Sequence, residues 1–192
     1  MKSVPEIEEW LKKFSINNYI ITEDFHVTVY GNVNLNAKLE GSKKLPVSFK
    51  TVDGYFDISN NSLESLEGAP ESVLKDFNCS FNKLESLFGA PYKVGDFDCS
   101  NNQLKSLSYC PKEVDGFFDC SDNNILSIKG APRTVKGHFK CSNNKIGSLK
   151  GGAKYVETYF DCSSNFLEEL TGGPITVGHD YICNNNNLAD LE

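Results

Sequence analysis

The sequence lacks the signals that would assign it to a membrane, to the secretory pathway or to an enzyme class. No apolar run approaches the ~20 residues of a membrane-spanning helix, and the N-terminal residues are too polar and acidic for a secretory signal peptide. None of the three histidines stands beside a serine or cysteine in a nucleophile motif, and no phosphate-binding glycine loop occurs. We therefore expect a cytoplasmic, non-catalytic protein with no cofactor and no membrane contact.

Positive charge is scarce as well. Lysine and arginine number 19 against 26 aspartates and glutamates, which gives a formal net charge of −7. Affinity for nucleic acid comes mainly from lysine and arginine contacts to phosphate. The charge balance therefore argues against nucleic-acid binding and favours a protein partner with a basic surface.

The seven cysteines do not have the spacing of a disulfide framework. Their number is odd, and six of them recur at one position of a repeat: Cys79, Cys99, Cys120, Cys141, Cys162 and Cys183. In strands ~4.8 Å apart such a column forms a line rather than the tetrahedron that zinc needs, so we expect neither disulfides nor a metal site. The seventh, Cys110, replaces the alanine of a turn motif, and we expect it to be more accessible.

The repeat itself is the strongest signal in the sequence. Ile58 occupies the position of these cysteines one period earlier. An aromatic residue precedes each of the seven positions by two: Phe56, Phe77, Phe97, Phe118, Phe139, Phe160 and Tyr181. An asparagine follows each by three: Asn61, Asn82, Asn102, Asn123, Asn144, Asn165 and Asn186. The units recur every 20 or 21 residues, a period that predicts a solenoid in which each unit buries its apolar face against its neighbours.

Each unit also predicts its own local structure. The alternation of Phe97 and Cys99 indicates a short strand with both side chains inward, and a valine such as Val94 should begin that strand. Leucine or isoleucine at the fifth and eighth positions after cysteine covers the core, and Gly-Ala-Pro or a relative of it then turns the chain back. The recurring asparagine amide should bond to the backbone of the adjacent unit and form a ladder.

The unit resembles the leucine-rich repeat motif L-x-x-L-x-L-x-x-N-x-L. Phe97, Cys99, Asn102 and Leu104 fill its later positions, whereas in most units the valine falls one residue before the first leucine. The resemblance covers residues 52–192, and weakly 33–51, and it is nearest to short Gly-Ala-Pro repeats of bacteriophage and bacterial proteins. It implies an α+β, mainly β solenoid with a parallel sheet on one face and few or no convex helices.

The N-terminal residues do not repeat. Apolar residues at Ile7, Trp10, Leu11 and Phe14 predict an amphipathic helix, and the segments 19–22 and 26–30 predict a β-hairpin. Because a solenoid needs a cover for its terminal unit, we interpret 1–32 as an N-terminal cap. Residues 33–192 are then the solenoid, with one degenerate unit followed by about seven units, of which the last is incomplete.

Residues that the repeat leaves variable are the candidates for function. The residue before each cysteine, the serine after it and the residue three before it should face outward. Aromatic residues ringed by charge are typical of interface anchors. We predict a partner-binding patch on this face, made of Tyr55, Asp98, Phe117, Asp119, His138, Lys140, Tyr159 and Asp161.

The aspartates before the cysteines form a column with two open interpretations. Carboxylates stacked at ~4.8 Å repel one another, which lowers stability, and the sequence shows no structural role that would offset this loss. Either solvent and neighbouring serine or lysine screen them, or they form a stripe for a cationic partner. The serines are uniform, which indicates local packing and hydrogen bonding.

An apolar residue at the end of the array suggests a second contact. Ile182 occupies a position that is polar in the other units, and Leu188 and Leu191 lie in the same last unit. We expect these three residues to form the contact of a two-fold homodimer.

The leading interpretation is a non-catalytic protein–protein interaction module. The resemblance implies a phage-encoded inhibitor that binds a host protein, such as a defence component, in the host cytoplasm. The alternatives are an assembly protein of a virion or scaffold, which would use the same faces, and, with less support, a glycan-binding protein.

Overall fold

The computed structural model describes residues 3–189, and these form a β-solenoid of about seven turns with one short helix at its N-terminal end. Helix α1 (Val4–Lys13) is followed by an antiparallel hairpin of β1 (Tyr19–Ile21) and β2 (His26–Val29). In the described residues, no helix has both the length and the apolar character needed to cross a bilayer.

The larger of the two faces of the solenoid is an eight-stranded parallel sheet in which each unit contributes two residues. Phenylalanine pairs with phenylalanine in register along most of this sheet, as Phe118 does with Phe97 on one side and Phe139 on the other. Its strands are β3 (Val33–Asn34), β5 (Phe56–Asp57), β7 (Phe77–Asn78), β9 (Phe97–Asp98), β11 (Phe118–Asp119), β13 (Phe139–Lys140), β15 (Phe160–Asp161) and β17 (Tyr181–Ile182).

The valine of each unit belongs to a second line of parallel strands rather than to the beginning of the first. These strands are β4 (Ser48–Val52), β6 (Ser72–Val73), β8 (Lys93–Val94), β10 (Glu113–Val114), β12 (Thr134–Val135), β14 (Tyr155–Val156) and β16 (Thr176–Val177). The first two join the hairpin in a sheet of order β1-β2-β4-β6, and the other five form a separate sheet. The valine and the phenylalanine of a unit belong to different strands because the chain bends sharply between them, which a continuous strand could not do.

The core is a column of stacked side chains, as the repeat predicts. The six phenylalanines that recur in the repeat from Phe56 to Phe160 are at most 1% exposed, and the five recurring cysteines from Cys79 to Cys162 are fully buried. Successive phenylalanine rings lie 5.0–5.8 Å apart from Phe56 to Phe160. This confirms that the recurring phenylalanine and cysteine face inward.

Helix α1 covers the N-terminal end of this column. Pro5 stands in the first turn, where its missing N–H costs no hydrogen bond. The helix buries Ile7, Trp10 and Leu11, and the centroid of the Trp10 ring lies 6.3 Å from that of Phe49 in β4. The predicted helix and hairpin are therefore both present, and β2 continues into the second line of strands by pairing with β4.

The asparagine ladder joins each unit to the one before it. The Nδ2 of Asn123 donates to the carbonyls of Cys99, Cys120 and Ser121, and its Oδ1 accepts from the Leu104 amide at 2.9 Å. Asn82, Asn102, Asn144 and Asn165 make the equivalent bonds. One side chain therefore satisfies backbone groups that the turn would leave buried and unpaired.

Two expectations about exposure were wrong. Cys110 is only 3% exposed, its Sγ lies 3.2 Å from the Gly130 carbonyl oxygen, and burial raises its pKa to about 11. The serines Ser59, Ser80, Ser100 and Ser121 are 1–7% exposed instead of facing outward. The strand ends after two residues, so the serine already lies in the turn and its side chain no longer follows the alternation.

Substituting Asn123 by alanine should destabilise the protein by about 3 kcal/mol, because a buried amide and buried carbonyls lose their partner. Urea unfolding followed by circular dichroism measures this free energy. The control is Gln103→Ala, which removes an exposed amide side chain and should change the free energy of unfolding by less than about 0.5 kcal/mol. Equal effects of the two substitutions would contradict a ladder that stabilises the solenoid.

Candidate partner-binding face

The outward side of the eight-stranded sheet, called the outer face below, presents two columns of side chains. One column is the second residue of each strand, and the other is the residue that precedes each strand. These two positions are two residues apart and therefore point to the same side of the sheet. All eight residues predicted for partner binding, from Tyr55 to Asp161, belong to these two columns.

Three aromatic side chains lie one above another on the outer face and form what we call the ring stack: Phe117, His138 and Tyr159. The centroids of Phe117 and His138 are 4.7 Å apart, those of His138 and Tyr159 are 4.8 Å apart, and the ring planes are within 10° of parallel. The spacing of adjacent strands, ~4.8 Å, matches that separation. The sheet thus holds the three half-buried rings in one rigid block.

Lys140 borders the ring stack and connects it to the carboxylates beside it. Its ammonium lies 5.8 Å from the ring centroid of Tyr159 and 3.8 Å from Asp119 Oδ2. Burial works against the charge, but the hydrogen bond to Tyr159 and the charges of Asp119 and Asp161 raise the pKa of Lys140. Lys140 is therefore a fixed cation within the predicted patch.

His138 is held in its neutral form. Burial within the ring stack lowers its pKa below the ordinary value of 6.5, and the charge of Lys140 lowers it further, against the opposing charges of Asp119 and Asp96. The stack is therefore uncharged at neutral pH. An uncharged stack of three planar rings is an apolar surface on an otherwise polar sheet.

Four strands of the eight-stranded sheet have aspartate at the second position, and these aspartates have a structural role that the sequence did not indicate. Asp57 Oδ1 accepts hydrogen bonds from the amide and the hydroxyl of Ser59, at 2.9 and 2.6 Å. Asp119 and Asp161 bond to the serine two residues later in the same way. The bonds hold the buried serine in the turn, so the expectation that these carboxylates bring no structural return was wrong.

An acidic pocket lies on the outer face toward the N-terminus from the ring stack. It is a cavity of about 360 Å³ lined by Asn34, Tyr55, Phe56, Asp57, Asp76, Phe77, Asn78, Asp96, Asp98 and Phe117. Burial raises the pKa of Asp98, as does the charge of Asp119, while hydrogen bonds from Ser100 lower it. Tyr55 and Asp98, predicted from the sequence, lie in this pocket rather than at the ring stack.

Asp76 and Asp96 of the acidic pocket were not among the predicted residues. Asp76 Oδ1 accepts from the Asp96 amide at 3.1 Å, and Asp96 Oδ1 accepts from the Phe117 amide at 2.8 Å. Each side chain lies over the glycine of the next unit, and a Cβ at Gly116 would overlap Asp96 Oδ1. The sequence signal that could have identified them is this pairing of an acid with glycine one unit later.

The residues predicted for a dimer contact belong to the last unit. Ile182 is the second residue of β17 and therefore lies on the outer face, paired with Asp161 of β15. Ile182 and Leu188 are half-buried, and Leu191 lies outside the described residues. The described residues contain no group of three or more histidine, cysteine or carboxylate side chains that could hold a metal ion.

No protein-family model, curated protein or solved structure matches this chain. The resemblance to leucine-rich repeats therefore stays a prediction that depends on the residues of the repeat. The arrangement of the outer face provides the basis for a functional proposal.

Substituting Lys140 by glutamine should raise the pKa of His138, because a neighbouring cation disfavours the imidazolium form. The pKa is measured from the ring-proton shifts of His138 as a function of pH. In the unsubstituted protein it should lie below 6.5. Lys145→Gln, a change of an exposed lysine outside the outer face, should leave it unchanged. A His138 pKa above 6.5 in the unsubstituted protein would contradict the described burial of the ring.

Proposed function

We propose that this protein is a non-catalytic interaction module that binds a protein partner with its outer face. The observation that carries the proposal is the ring stack of Phe117, His138 and Tyr159, bordered by Lys140 and by carboxylates. Aromatic side chains inside a polar rim are the typical anchors of protein interfaces.

The stacked rings also reduce the cost of binding. Association loses free energy when side chains at the interface must be ordered. Each ring of the stack is already held against the next at 4.7–4.8 Å, and His138 is held from both sides. A partner that covers the stack therefore gains apolar contact without ordering these side chains.

The charges around the stack favour a basic partner. The formal net charge is −7, and Asp98, Asp119 and Asp161 lie along the same face, with Lys140 as the cation among them. The resemblance to bacteriophage repeats supports a phage-encoded inhibitor that binds a host protein, such as a defence component, in the cytoplasm.

An assembly protein is the second candidate, and the last unit favours it. The eight-stranded sheet ends at β17, and no strand within residues 3–189 pairs with its outer edge. Tyr181, Cys183 and Leu188 are only half-buried, whereas their counterparts one unit earlier are fully buried. A second copy of the chain packed on this unit would cover them and form a two-fold dimer.

Replacing Phe117 and Tyr159 together by alanine should abolish capture of the partner from a host lysate, because the two outer rings of the stack are lost. Circular dichroism should show an unchanged fold. The matched control is the double change Phe166→Ala and Tyr155→Ala, which removes exposed aromatics away from the outer face and should retain the partner. Loss of self-association instead of a soluble partner would favour an assembly protein that also uses the outer face.

Light scattering at micromolar concentration should give about twice the chain mass of 21.3 kDa if the last unit forms a dimer. Ile182→Asp together with Leu188→Asp should return the protein to a monomer, since charges would be buried in the contact. Leu188→Asp alone, a change outside the outer face, should not affect capture of a partner by the ring stack. A measured mass of about 21.3 kDa for the unsubstituted chain would contradict the proposed dimer.

A further inference from the structure

The acidic pocket carries negative charge that no described residue neutralises in an ion pair. Asp57, Asp76, Asp96 and Asp98 line it, and no lysine, arginine or histidine of residues 3–189 is among the lining residues. None of these four carboxylates takes part in an ion pair within the described residues. Beyond the pocket, by contrast, Lys140 lies 3.8 Å from Asp119 on the same face.

The fold does not need this charge. Asn78 occupies the same column as Asp57 and accepts the same two hydrogen bonds, from the amide and the hydroxyl of Ser80, at 2.9 and 2.7 Å. A neutral amide oxygen therefore performs the structural role as well as a carboxylate does. The negative charge at Asp57 and Asp98 goes beyond what the turn requires.

The second column leads to the same conclusion. Asn32 Oδ1 accepts from the Tyr55 amide at 3.2 Å, in the same column as the equivalent bonds of Asp76 and Asp96, two and three units later. Asparagine thus makes this bond within the same protein. The charges of Asp76 and Asp96, on adjacent units, repel each other without a structural gain.

The walls of the pocket suit a flat organic cation. Tyr55 lines one end of the pocket and Phe117 the other, with the carboxylates between them. Aromatic faces attract cations, and a guanidinium group both stacks on rings and donates to carboxylates. The volume of about 360 Å³ is within the range of pockets that hold small ligands.

A metal ion fits the pocket less well. One oxygen each of Asp57, Asp76, Asp96 and Asp98 is already engaged by an N–H of the chain. Within the described residues, no three of the acids come together in a group that could hold a metal. A broad organic cation can reach several separated oxygens, whereas a metal ion needs them around one point.

We propose that the acidic pocket receives an arginine side chain of the protein partner, next to the contact that the partner makes with the ring stack. Phe117 belongs to both the pocket and the ring stack, so a single partner surface can occupy the two sites together. The inference rests on the proposed function, because it names the partner group that this part of the outer face binds.

A direct titration tests the pocket without the partner. N-acetyl-L-arginine amide is added to the ¹⁵N,¹³C-labelled protein, and the shifts of the Asp76, Asp96 and Asp98 carboxyl carbons and of the Phe117 ring are followed. N-acetyl-L-citrulline amide, which has nearly the same shape without the charge, is the matched ligand control. The arginine compound should produce saturable shifts that weaken as salt shortens the screening length from ~10 Å at 0.1 M to ~3 Å at 1 M.

The double variant Asp76→Asn and Asp96→Asn should bind the arginine compound about tenfold more weakly. Asparagine retains the acceptor oxygen that each position uses in the fold, as Asn32 shows. The control Glu71→Gln with Glu168→Gln removes two exposed charges outside the outer face and should bind as the unsubstituted protein does.

Equal shifts with the citrulline compound, no saturable shifts, or unchanged binding by the asparagine variant would overturn the proposal. Calcium chloride alone shifting the same carbons at lower concentration would also overturn it, in favour of a metal site. None of these results affects the capture experiment with Phe117→Ala and Tyr159→Ala. If the unsubstituted protein captures its partner and this variant does not, while the titration shows no arginine binding, the proposed interaction module is supported and only the arginine pocket is contradicted.

Discussion

The in-register stacking of successive units is the constraint on which the rest of the structure depends. Each unit places its phenylalanine, cysteine and asparagine directly against the same residues of the next unit. The asparagine amide makes this register specific, because it bonds at once to its own turn and to the backbone of the preceding unit. A shift by one residue would break those bonds and move the phenylalanines out of the core.

The same stacking determines the chemistry of the outer face. Residues of one column lie one strand spacing apart, ~4.8 Å, so side chains of similar chemistry in adjacent units contact each other. In the C-terminal half this produces the ring stack of Phe117, His138 and Tyr159. In the N-terminal half it gathers carboxylates into the acidic pocket, whose lining includes no cation from the part of the chain that the structure describes.

Much of this was predictable because the repeat is visible in the sequence. The inward phenylalanine and cysteine, the asparagine ladder, and the helix and hairpin at the N-terminal end follow from periodicity and capping. The buried serines, the burial of Cys110 and the second line of strands do not, because each depends on where the strand ends and the corner begins. Periodicity reports which residues recur but not how sharply the chain bends between them.

The sequence by itself determined the solenoid and its core, since a fixed period allows only one way to bury the recurring residues. It predicted the two outward columns as well, but it wrongly added the serines as a third. It also singled out Phe117, His138 and Tyr159 as neighbours. Only the tertiary structure decided that their rings stack, that Asp76 and Asp96 join Tyr55 and Asp98 in one pocket, and that aspartate there exceeds what the turn needs. The reason is physical: hydrogen-bond partners, burial and uncompensated charge depend on distances between units, which a sequence pattern does not contain.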